Sequence, residues 1–199
     1  MKHGTCSSRA LALLVGVLLA PVCLRAQAGG NPGRPAEVPP NPPPATKIEA
    51  FAPAAGSVLT LGFDELGVVG GVSVDVREMR DARGAGVRGL VIQVSEGQYR
   101  KEQSFVDADE IPELLKGFDA LLDVKANPTQ FKNFEVRYTT KGELQLTAFN
   151  AFRGGIVFAV QAGRVLKAQS LGLSEKDMRK LRGMFDEALQ KLNALAATK

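Results

Sequence analysis

Apolar residues recur in steps of three and four through the end of the chain, at Met178, Leu181, Phe185, Ala188, Leu192 and Leu195. That spacing puts them on one face of an α-helix. Ser174 stands where it can cap the helix, with Asp177 three residues on as a short-armed capping box and Leu173 and Met178 at staple positions. A stripe of this kind needs a surface to bury itself against. Most of the preceding hundred residues read as strands, which would supply one.

Val72, Val74 and Val76 alternate with Ser73, Asp75 and Arg77, the pattern of a half-buried strand. Before it, Val58–Phe63 is a short β-rich run that Asp64 and Glu65 are expected to end, with a turn or bulge at Gly67, Gly70 and Gly71. Residues 81–86 predict a hairpin loop. Val87–Ser95 predicts the return strand, with Leu90, Val91 and Ile92 consecutive and so central. Tyr99–Val106 predicts a more polar edge strand. The period then becomes helical at Ile111, Leu114, Leu115, Phe118, Leu121 and Leu122. Asp109 is the expected N-cap, which places Pro112 in the first turn, where its missing N–H costs no bond. Asn127-Pro128 ends that helix. Strands follow at Phe134–Tyr138, Leu144–Ala148, Ile156–Val160 and Val165–Gln169, with a tight turn at Lys141-Gly142.

Hairpin-length connections imply antiparallel pairing. The expected class is α+β: about seven strands in one curled or barrel-like sheet, an internal helix, and a C-terminal helix packed on it. An open sheet with both helices on one face is the alternative. No repeat of convincing period stands out.

The N-terminal residues change the composition. Lys2 and Arg9 precede an apolar run, Ala10–Val22, of 13 residues, and Ala26-Gln27-Ala28 has the spacing of a cleavage site. Residues 1–28 therefore read as a secretory signal peptide, since a bilayer span needs about 20 apolar residues. The mature chain is expected to be exported, periplasmic or extracellular, without a transmembrane helix. The alternative is a lipid anchor on Cys23, although Ala20-Pro21-Val22 suits lipidation poorly. Residues 29–45 hold seven of the eleven prolines and read as an extended linker. Residues 46–199 read as a single domain.

Cleavage removes Lys2, Arg9 and Arg25, lowering the 25 basic residues of the whole chain to 22 against 21 acidic ones. A near-neutral protein gives no reason to expect a nucleic-acid partner. Cys6, Cys23 and His3 leave with the same segment, so the mature chain would hold no thiol and no imidazole. Ser–His and Cys–His catalysis and zinc binding need one or the other. No cofactor or metal is expected.

Three stretches could still carry chemistry. Gly84-Ala85-Gly86-Val87-Arg88-Gly89 matches a dinucleotide-binding fingerprint, but a strand follows where a helix is required, so it reads as a hairpin loop. Asp107, Asp109, Glu110 and Glu113 could serve glycoside hydrolysis, but acids at a helix start ordinarily satisfy free N–H groups. Phe149, Phe152 and Arg153 are the candidate binding residues, from a loop with unexpected apolar content. The composition favours a non-enzymatic binding or accessory module whose partner is a protein, an envelope component or an apolar ligand. A carboxylate-dependent polysaccharide hydrolase and a lipid-anchored envelope structural protein are the alternatives.

Overall fold

Eight strands form two separate antiparallel sheets of four, each strand paired with its neighbour in the chain. The computed structural model describes residues 43–52, 55–97, 99–125, 128–151, 154–164 and 168–197. The expected signal segment, most of the proline-rich linker, Cys23, Asn127 and Val165–Lys167 lie outside the described residues.

The first sheet runs β1 (Leu59–Val69), β2 (Val72–Asp81), β3 (Gly86–Glu96) and β4 (Arg100–Asp107). A short helix, α1 (Lys47–Ala50), precedes it, and a 3₁₀ turn at Ala108–Glu110 leads into helix α2 (Ile111–Leu122). The second sheet runs β5 (Glu135–Thr139), β6 (Gln145–Asn150), β7 (Ile156–Ala162) and β8 (Gln169–Leu173), and helix α3 (Glu175–Ala197) closes the order. Four strands and a helix thus occur twice over, although the sequence shows no matching repeat.

The α+β class, the antiparallel pairing and the C-terminal helix agree with the sequence reading. The single curled or barrel-like sheet does not: among the described residues no barrel closes, and two sheets stand in its place. The reason is where the helices go. α2 packs on β5 and β6, the first hairpin of the other sheet, while α3 packs on β1 and β2. The second hairpins, β3–β4 and β7–β8, meet each other. Helices therefore fill the space that a barrel would enclose. Val74, Leu90, Ile92, Leu146, Val160, Phe118 and Phe185 all contribute to the one core.

Ser174 caps α3 as its position predicts. Its Oγ accepts the N–H of Asp177 at 3.1 Å and donates to Asp177 Oδ2 at 2.6 Å. The stripe from Met178 to Leu192 is buried, but Leu195 is exposed and lies beyond the core. β1 also differs from expectation, since it continues through Asp64 and Glu65 to Val69. Acidic residues do not stop an edge strand, because both faces there can reach water or a cation. Asp64 pairs with Lys191 of α3. A bulge between Glu65 and Gly67 then shifts the register, and Gly70-Gly71, both at positive φ, close the two-residue hairpin.

Candidate binding surface

Two of the four acids singled out in the sequence, Asp107 and Asp109, lie together at one end of the first sheet. Lys47, Glu78, Arg80, Arg88, Asp107 and Asp109 line an open cleft of about 310 Å³ there. Each of these charges has a structural partner. Asp107 is buried, and its two carboxylate oxygens accept the N–H groups of Lys47 and Ile48 at 3.0 and 3.1 Å. These are the free donors that open α1, so Asp107 caps that helix from 60 residues away in the chain. The predicted cap, Asp109, is not one. It lies inside the 3₁₀ turn, and the residue at the cap position of α2 is Glu110, whose side chain makes no capping hydrogen bond. The 3₁₀ turn supplies the first turn that the sequence reading took for α-helix. Asp109 instead meets Lys47 Nζ at 2.6 Å, and that hydrogen bond holds its carboxyl below the usual range.

Across the cleft, Glu78 accepts from Arg80 and from Arg88, each at 2.7 Å. The hydrogen bond from Arg80, followed by that from Arg88, lowers its carboxyl below the usual range against the opposing effect of burial. Glu113 pairs with Lys116. Glu110 is buried at the junction of the two halves, where Oε1 accepts the N–H of Lys141 at 2.8 Å and Oε2 has no partner among the described residues. Burial, and then the charge of Glu110, raises the Tyr138 phenol above its ordinary value. Among the described residues no three acids, cysteines or histidines converge as metal ligands.

The glycine-rich stretch is a hairpin loop, as its context predicts. Asp81 Oδ1 accepts the N–H groups of Arg83 and Ala85, both at 2.9 Å, and Gly86 opens β3 rather than a helix. The loop's amide groups are therefore directed to Asp81 rather than outward to a phosphate.

Phe149 lies in β6 on the face turned from the core, beside Glu135 and Val157 in the neighbouring strands. It borders a shallow depression with Asn133, Phe134, Glu135 and Asn150. Phe152 and Arg153 lie outside the described residues. Asn150 anchors the approach to β5, accepting the N–H of Phe134 and donating to the Lys132 carbonyl.

A different surface gathers more apolar area. Among the described residues, seven large apolar side chains are strongly exposed, and Val58, Leu61, Phe63 and Val68 belong to β1 or its approach. Leu61 and Phe63 share one face with Met79 and Val87, because Leu61 pairs with Met79 and Met79 with Val87. That face is opposite the core-facing residues Val72, Val74 and Val76. On its β3–β4 side the same face is covered by α1, where Ile48 and Val91 are each 1% exposed. Among the described residues the β1–β2 side has no such cover, and Phe63 is 76% exposed.

Sequence reasoning missed this surface because it read Val58–Phe63 only as a short β-rich run and assigned no face to its apolar residues. Thr60 and Gly62 between them were the available signal: with Asp64 they leave the opposite face of the strand without an apolar side chain. All six residues of Thr60–Glu65 are exposed, so among the described residues neither face of this part of β1 is closed over, although Lys191 of α3 reaches Asp64. The chain matches no protein-family model and no curated protein sequence.

Proposed function

We propose that this chain is an exported, non-catalytic binding or accessory domain that docks through the outer face and free edge of β1. The observation that carries the reading is the placement of Leu61 and Phe63 beside Met79, on a sheet face that α1 covers elsewhere. Exposed apolar side chains grouped on a sheet edge suit association, since burying them is favourable and the edge offers unpaired main-chain groups. The charged cleft supports the same reading, because its acids hold α1 and bridge strands. Export rests on the leader-like residues 1–28, and the proline-rich stretch after them would let the domain stand off from its attachment or cleavage point.

The test is site-specific photo-crosslinking in cells that export the protein. A photoreactive phenylalanine analogue replaces Phe63 in one strain and exposed Thr139 in another. Adducts of defined mass should form from position 63 and be lost when Leu61→Asp is added. Absence of any adduct from position 63 would refute docking through this face.

A further inference from the structure

We infer that the partner on this surface is a second copy of the chain, with the two β1 strands paired antiparallel about a two-fold axis at Gly62. The inference rests on the docking reading above and names its occupant. It begins from the edge itself. β1 is 11 residues long and ends the order of its sheet, with no strand on its other side among the described residues. Between Leu59 and Phe63 it carries no proline and no charged residue, the kinds that commonly protect an edge, and charge returns only at Asp64 and Glu65. The chain's own N-terminal stretch suits the edge poorly as an added strand, because seven prolines between residues 29 and 45 lack the N–H that a ladder needs.

The sequence of β1 is self-complementary around Gly62. In that register Leu61 of one copy faces Phe63 of the other, twice, and these are the two exposed apolar residues of the flat part of the strand. Thr60 faces Asp64, so a hydroxyl donor meets a carboxylate. Leu59 faces Glu65. Neither acid faces an acid, whereas a register centred on Asp64 would set that carboxylate against itself. Glycine at the axis lets the two backbones approach without side chains between them. The existing rows extend across the junction: Val87, Met79 and Leu61 of one copy continue into Phe63 and Arg77 of the other. The two four-stranded sheets become one of eight, with the apolar rows of both copies side by side on its outer face. The bulge at Glu65/Gly67 ends the flat segment and limits the contact to about seven residues per copy. An edge-to-edge contact of that length is small, so the dimer is expected to be weak, with dissociation in the micromolar range.

Sedimentation equilibrium of the purified protein reads the association directly. The parent should shift from monomer to dimer with concentration. Leu61→Glu alone and Phe63→Lys alone should each weaken the dimer at least tenfold. The double variant L61E/F63K should recover it, because the register sets the new carboxylate at position 61 against the new ammonium at position 63 of the other copy, on both sides of the axis. Far-ultraviolet circular dichroism and unchanged melting would show that all variants fold. A parent that stays monomeric, a dimer indifferent to the single changes, or a double variant without recovery would each overturn the inference. Adducts from position 63 to another protein, together with a monomeric parent, would leave docking intact and remove the second copy as occupant.

Discussion

Phe185 tests the architecture most directly, because it sits where the exchanged helices meet. Its side chain is fully buried, and its ring centroid lies 5.2 Å from that of Phe118 in α2, tilted by 43°. Truncating a buried phenylalanine to alanine costs about 3–5 kcal/mol, from lost transfer energy and the cavity left behind. That is a large share of the roughly 5–15 kcal/mol that holds a domain folded. The ring pair itself contributes about 0.5–1.5 kcal/mol beyond buried area. Alanine at both positions could unfold the protein, so Phe→Leu suits a double-mutant cycle, with each single change costing roughly 1–2 kcal/mol. Urea unfolding followed by circular dichroism should show lower midpoints at an unchanged slope. The double variant should lose less than the sum of the singles by about the ring-pair energy. A Phe185→Ala protein with the parent's midpoint would mean the stripe of α3 does not face this core. Strict additivity of the two leucine changes would mean the rings do not meet.

The two acids at the cleft should separate cleanly in melting experiments. Asp107→Ala strands two donors and should cost about 1–3 kcal/mol, whereas Asp109→Ala at an exposed ion pair should stay within about 0.5 kcal/mol, and the reverse order would restore the helix-cap role to Asp109. Glu78 has a depressed carboxyl, so its contribution is present above the ordinary carboxylate range and is lost as pH falls through its lowered value. Stability measured down an acid series should therefore fall less steeply in Glu78→Gln than in the parent, and identical slopes would refute the pairing with Arg80 and Arg88. Intact mass of the exported protein should correspond to a chain beginning at Gly29, while a form beginning at Cys23 with added acyl mass would make it a lipoprotein.

Local pattern was legible where a residue's partner is near in the chain. Val72, Val74 and Val76 alternate because one face of β2 is buried, and Ser174 caps because its donor is three residues away. Leu90, Val91 and Ile92 read as central because both faces of β3 are covered there, one by the core and one by α1. Two of the misreadings share one cause, a partner far away in sequence. Asp107 looks like an acid at the start of α2, yet its donors belong to Lys47 and Ile48. Asp64 looks like a strand terminator, yet Lys191 meets it. No local rule assigns either, because charge and spacing near the residue fit a cap or a turn equally well.

The number of sheets was not legible for the same reason. Periodicity reports that a strand has a buried face, and says nothing about which element buries it. Here the answer is reciprocal: α2 covers the first hairpin of the second sheet, and α3 covers the first hairpin of the first. Each half supplies what the other lacks, and Arg182 of α3 ties the exchange at the surface by a two-pronged contact with Asp119 of α2, at 2.9 and 3.1 Å. Gly142 marks how close the halves come on the strand side, since a Cβ there would lie 1.9 Å from the Phe105 carbonyl oxygen. With cover exchanged in this way, neither set of four strands keeps a buried face alone. Among the described residues, the strand segment left outside the exchange is Thr60–Glu65, beyond the reach of α1 on its outer face and with no strand beside its free edge. That edge follows from the same topology that makes the rest of the domain a single core.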